Sequence, residues 1–79
     1  MEVIDLSHTI HDEIQIYPGD PIPSISRGLT HGKDYCHVDL LKLGSHTGTH
    51  IDAPYHFLKN GQRIDEIPVQ RFVGNGILI

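Results

Sequence analysis

Twelve consecutive positions, His46-Thr47-Gly48-Thr49-His50-Ile51-Asp52-Ala53-Pro54-Tyr55-His56-Phe57, hold three of the chain's seven histidines and a carboxylate. Imidazole and carboxylate groups are the usual nitrogen and oxygen donors to zinc, and carboxylate also suits manganese. Imidazole is also the side chain that exchanges protons most readily near neutral pH. His46, His50, Asp52 and His56 therefore have two chemistries within reach, metal ligation and proton transfer. The alternative is an ordinary polar loop.

Spacing narrows how these residues could converge. On a helix His46 and His50 would share a face, but Asp52 would lie about 240° from His46 around the axis. Gly48 and Pro54 also disfavour a helix. On a strand all four positions share parity and face one side. A straight strand nevertheless holds His46 and His50 about 13 Å apart at Cα, too far for one ion bonded at about 2 Å. The chain must curl between them, and Gly48 is placed to permit it. Pro54 adds a bend that can swing His56 toward the same cavity. The pattern predicts a His-His-Asp site on a strand that breaks into a loop. His8, His11, His31 and His37 lack comparable neighbours and read as solvated or capping residues, and Asp5-Leu6-Ser7-His8 reads equally well as a local strand end.

The elements around this stretch must be small. A chain of 79 residues buries only about 60% of its unfolded surface, and domains of that size lean on disulfides, metals or association. Cys36 is the only cysteine, so no internal disulfide is available. A lone thiol reads as a small apolar residue in a reducing, cytoplasmic setting. The formal charge of −4 with six scattered Lys and Arg argues against nucleic-acid or anionic-membrane partners. No stretch has the ~18 apolar residues of a membrane span. The composition predicts a soluble protein of the cytoplasm.

Short strands dominate the pattern. Val3, Ile4 and Leu6 open the chain, and Ile14 and Ile16 alternate with Glu13 and Gln15. Tyr17-Pro18-Gly19-Asp20 reads as a type II turn. Residues 22–26 suit an edge strand because Pro23 cannot donate to a ladder, and 27–35 read as a loop. Residues 36–46 carry apolar side chains on both faces, which predicts a strand interior to a sheet. Asn60-Gly61 marks a turn, Pro68 to Phe72 a helical turn. Ile77-Leu78-Ile79 reads as an uncapped strand that should pair with more protein. Either a second chain supplies the missing layers or the sequence is the N-terminal piece of a larger domain, and the second is preferred.

The run from His46 to Phe57 resembles the H-x-G-T-H-x-D-x-P-x-H-F signature of the cyclase-like metal-dependent hydrolases, which include bacterial kynurenine formamidase (arylformamidase) and isatin hydrolase. Asp5-Leu6-Ser7-His8 and Tyr17-Pro18-Gly19-Asp20-Pro21 agree in order and approximate spacing, so the resemblance covers essentially residues 1–79. It implies an α/β fold, a swivelling β/β/α domain of which this chain is an incomplete, strand-rich N-terminal portion. It further implies a divalent metal, zinc or manganese, on His46, His50 and Asp52, with His56 as general acid/base and Tyr17 against the substrate. Members of the family form dimers or larger assemblies, so a homodimer or homotetramer is expected.

Relatives in that family are more than twice this length and complete a binuclear site with a further His and Glu, which residues 58–79 do not supply. The activity implied is metal-dependent hydrolysis of a small-molecule amide, N-formylkynurenine or a cyclic amide. Bound metal would activate water, and Thr47 and Thr49 are expected to orient the imidazoles by hydrogen bonds. The competing reading is a non-catalytic, degenerate metal-binding fragment. A purely structural zinc fold is disfavoured, because such sites are closed four-ligand shells rich in Cys.

Overall fold

A computed structural model describes residues 1–79. Regular pairing is confined to one antiparallel hairpin of two strands, β1 (Ser24–Leu29) and β2 (Val38–Lys42), with Ser24 opposite Lys42 and Ser26 opposite Leu40. The register slips between Arg27 and Leu29, where Gly28 is the extra residue. A Cβ at Gly28 would stand 2.9 Å from the Val38 carbonyl oxygen, so the close approach of the two backbones at this bulge requires glycine. Pro23 enters β1 as the single buried residue. The edge of β1 is partly satisfied from outside the hairpin, since Ile25 donates its N–H to Asp12 Oδ1 at 2.7 Å.

Beyond the hairpin the backbone runs through turns and three short 3-10 helices: η1 (Pro54–His56), η2 (Ile64–Glu66) and η3 (Val69–Phe72). The turn at Tyr17 to Asp20 forms as read from the sequence, with Asp20 N–H bonded to Tyr17 C=O at 3.0 Å and Gly19 at φ +95°. Such a φ at the third turn position is the type II geometry. The expected helical turn near Pro68 is η3, with Pro68 at its N-cap rather than inside it. The turn around Asn60-Gly61 closes through Gly61 N–H to Leu58 C=O at 2.8 Å.

Three strand expectations are corrected. Residues 3–6, 13–16 and 77–79 are not strands, because a strand exists only against a partner and these segments have none in the chain. The long strand expected over 36–46 is shortened to β2 and does not lie inside a sheet: both Leu40 and Leu41 are about half exposed. Its two apolar faces are present, but nothing is stacked on either.

The chain consequently has no closed core. Its radius of gyration is 16.8 Å, where a compact domain of this length would measure roughly 12 Å. It makes 22 backbone–backbone hydrogen bonds, below the roughly two-thirds of a backbone bond per residue found in a compact domain. Local turns and a few side-chain links therefore position the histidine stretch, with no packed interior behind it.

Candidate metal centre

The loop between β2 and η1 is tied off at its entry. Thr47 N–H donates to Gly44 C=O at 3.1 Å, and Gly44 N–H donates to Thr47 Oγ1 at 3.0 Å. Gly48 then adopts φ +72°, the left-handed backbone that curls the chain instead of extending it. The curl anticipated at this glycine is present. It brings residues that a straight strand would hold about 13 Å apart into contact: His46 Nδ1 lies 3.0 Å from His50 Nε2.

Asp52 closes the group. Its Oδ1 stands 2.9 Å from His46 Nδ1 and 3.1 Å from His50 Nε2. Three donor atoms thus form a nearly equilateral triangle with edges of 2.9, 3.0 and 3.1 Å. Two ligands at about 2.0 Å from one tetrahedral zinc are separated by roughly 3.3 Å, so the triangle is slightly tighter than a zinc face and of the right size for one small divalent ion. His46, His50 and Asp52 are the one group of three such residues whose ligand atoms converge in this way.

Proton accounting supports the same fit. His50 Nδ1 is 2.7 Å from the Gly48 carbonyl oxygen. A carbonyl only accepts, so Nδ1 carries the proton and Nε2 of the neutral ring presents a lone pair. That lone pair and the Asp52 carboxylate oxygen, 3.1 Å apart, are placed so that both could ligate one cation. The Gly48 carbonyl also fixes the ring's orientation, as the outer partners of metal-bound histidines do. The His46 and His50 side chains are about one quarter and one third exposed, and Asp52 is more than half exposed. The outer face of the triangle is therefore open to further ligands.

His56 reaches the cluster by another route. Pro54 opens η1, and His56 N–H bonds back to Ala53 C=O at 3.0 Å. The turn sets the His56 ring over that of His46, centroids 3.8 Å apart and planes 37° from parallel. Phe57 flanks its other side with a centroid distance of 4.2 Å. Tyr17 is well exposed and lines an open cleft of about 680 Å³ with His8, His11, Ile14, His46 and Gly48. Tyr17 and His46 thus share one cavity.

The threonines act differently from expectation. Neither Thr47 nor Thr49 bonds an imidazole. Thr47 closes the Gly44 turn, and Thr49 Oγ1 accepts the His8 N–H at 2.9 Å, 41 residues away. Both hydroxyls are taken by backbone amides that lack other partners, and the orienting bond to His50 comes instead from the Gly48 carbonyl. Residue types alone could not reveal a backbone partner. The Asp5 segment resolves as a local turn: Asp5 Oδ1 accepts both the N–H and the hydroxyl of Ser7. These bonds, the hydroxyl first and the amide second, hold the exposed Asp5 carboxyl below its usual pKa.

The family model for Cyclase, described as "Putative cyclase", matches residues 4–79. The chain belongs to the Cyclase family. Proteins named kynurenine formamidase are similar to it: one from Salinibacter ruber is 37% identical over 76 residues, covering 94% of this chain and 36% of the relative. Another from Bacillus thuringiensis subsp. konkukian is 37% identical over 76 residues, covering 92% and 35%. A third, from Geobacillus thermodenitrificans, is 33% identical over 72 residues, covering 90% and 34%. This Cyclase-family chain spans about a third of the length of these curated relatives. No solved structure matches it. No helix in it is long and apolar enough to cross a membrane.

Proposed function

We propose that this Cyclase-family chain is the N-terminal part, residues 1–79, of a single-domain metal-dependent hydrolase acting on the amide bond of a small molecule. The reaction is that of an arylformamidase, N-formylkynurenine to kynurenine plus formate, with cyclic amides of the isatin type as a second substrate class. The observation that carries the reading is the donor triangle of His46, His50 and Asp52, and the similarity to proteins named kynurenine formamidase supports the choice of reaction. The fold is the swivelling β/β/α domain, and the protein is a cytoplasmic homodimer or homotetramer.

His46 through Nδ1, His50 through Nε2 and Asp52 through Oδ1 would hold the ion, zinc first and manganese second, with room for a second ion once ligands outside this chain are added. A divalent cation held there supplies Lewis-acid polarisation of a carbonyl and brings the pKa of a water toward 7. Asp52 contributes the one formal negative charge among the three ligands. The Gly48 carbonyl keeps His50 in the tautomer that offers Nε2. His56, lodged against His46, takes a proton from the attacking water. It returns that proton to the departing nitrogen as the C–N bond breaks, the roles of a general base and then a general acid. Tyr17 lies along the cleft beside His46, where an aromatic ring of the substrate can stack.

The test uses the full gene product that carries these residues. Chelation is expected to abolish formanilide hydrolysis, and zinc or manganese to restore it. His56→Ala should retain the metal while lowering kcat by about 10²–10⁴-fold, the usual contribution of a positioned acid/base. Turnover indifferent to chelation, or a His56→Ala enzyme of full speed, would defeat the reading in favour of a non-catalytic metal-binding module.

A further inference from the structure

The tip of the hairpin brings together two histidines that the sequence gave no reason to pair. His31 and His37 lie with ring centroids 5.8 Å apart and planes tilted by 45°. Strand register explains the approach. Leu29, the last residue of β1, stands opposite Val38, the first of β2. His37 directly precedes one end of that ladder, and His31 follows the other by two positions. The loop between them opens with a closed turn: Thr30 C=O accepts the Lys33 N–H at 3.2 Å and the Asp34 N–H at 2.7 Å, and Asp34 Oδ2 accepts the Thr30 N–H at 3.0 Å. His31 is therefore carried inside a hydrogen-bonded turn, and His37 at the root of a strand.

Asp39 of β2 decides which nitrogen of His37 can act as a ligand. Its Oδ1 stands 2.8 Å from His37 Nε2. A carboxylate only accepts, so Nε2 carries the proton and the neutral ring presents its lone pair at Nδ1. A carboxylate on the far nitrogen of an imidazole is the usual outer partner of a metal-bound histidine, fixing the ring and raising its basicity. The Gly48 carbonyl does the same for His50. Two imidazoles on one tetrahedral zinc, bonded at about 2.0 Å, have ring centres roughly 5.2 Å apart. The His31–His37 separation exceeds that by about 0.6 Å, a gap that small rotations of two side chains close.

We propose that His31 and His37 form a second metal site, apart from the donor triangle, for a divalent transition ion such as zinc, with Asp39 as its outer carboxylate. Imidazole nitrogen suits zinc, copper and nickel, whereas magnesium and calcium take oxygen ligands. Water completes the coordination of an ion held by two side chains. Neither histidine lines the clefts beside His46, so the site does not extend the one already described. An ion joining positions 31 and 37 clamps the ends of the hairpin loop, and its binding favours the paired form of the hairpin by mass action.

Zinc titrated by calorimetry into the full gene product tests this. The parent should show one binding event per chain more than His31→Ala or His37→Ala. Asp39→Ala should keep that event but weaken it about 10- to 100-fold, the usual effect of losing an outer partner. Excess magnesium should not compete for it. Ring nitrogen NMR of the parent reads the ligand atom without reliance on any variant's folding: zinc should shift His37 Nδ1 and leave the proton on Nε2 in place. Formanilide hydrolysis at saturating zinc should be the same in the parent, His31→Ala and His37→Ala. Equal numbers of zinc events in the parent and both histidine variants overturn the proposal, as does competition by magnesium or zinc bound at His37 Nε2. Loss of formanilide turnover in either histidine variant also overturns it, since these residues would then serve the reaction centre. Calorimetry and NMR do not depend on turnover, so failure of the amide-hydrolase reading leaves both results valid.

Discussion

Replacing Gly48 by alanine tests whether the curl makes the metal centre. Gly48 has φ +72°, and an L-residue with a Cβ in that region costs about 1–2 kcal/mol. The added methyl would also stand 3.3 Å from Ile14 Cδ1 and 3.6 Å from Ile10 Cγ1. Both are ends of flexible side chains that can give way, so backbone strain dominates. If the curl is needed only when His46 and His50 converge, the strain falls on the ligand-binding conformation, and zinc affinity should drop about 5- to 30-fold. A chromogenic chelator competing for zinc, titrated against the full gene product, reads this directly. Gly19→Ala is the control, because Gly19 is also left-handed at φ +95°, has nothing within 4 Å of the added Cβ and lies outside the ligand loop. It should lower stability without moving zinc affinity. Zinc affinity of Gly48→Ala within twofold of the parent, or an equal loss in Gly19→Ala, would refute the assignment of the curl to metal binding.

Two further outcomes follow from side-chain links to the backbone. Thr49→Val keeps the shape of the side chain but removes the acceptor for the His8 N–H. Since a net hydrogen bond is worth about 0.5–1.5 kcal/mol, exchange of the His8 amide should quicken roughly 2- to 12-fold by hydrogen-exchange NMR, with zinc affinity unchanged. An unaltered amide would show that the bond carries no weight. Ser7→Ala removes the hydroxyl, the larger of the two influences lowering the Asp5 pKa, so NMR titration of Asp5 should show its pKa rising toward the ordinary value. The sign of the linkage is that of a depressed carboxylate. Its stabilisation is present above the unfolded pKa near 3.9 and is lost as pH falls through the lower folded value. Ser7→Ala should therefore flatten the acid-side slope of stability.

The sequence was most informative where chemistry and backbone constraint coincide. His46, His50 and Asp52 could be placed together because a helix and a straight strand both fail by simple distances, and because a glycine stands where the remaining solution needs one. The turn at Tyr17 to Asp20 was legible for a similar reason, since Pro18 and Gly19 each fit one turn position. Strands were read less well. Ile14 and Ile16, or Ile77 to Ile79, have the alternation or apolarity of strands, but pairing is a property of two segments and periodicity describes only one. The same limit made residues 36–46 look interior, when the observed strand stops at Lys42 and is open on both faces. Thr47 and Thr49 were misassigned because a hydroxyl's partner is often a backbone amide, and sequence spacing says nothing of which amide is free.

The range of the links at the centre has a kinetic consequence. All three donors lie within seven residues, and the bonds shaping their loop span two to four positions. Closing a loop of about ten residues takes on the order of 10–100 ns. The donors can therefore meet repeatedly while most of the chain is still unorganised, and an encounter with zinc at that stage would capture the loop in its folded form. The wall of the cleft that carries Tyr17 is different, since His8 must find Thr49 across 41 residues of chain. The donor loop can thus close sooner than the cleft beside it, whose wall waits on the longer link.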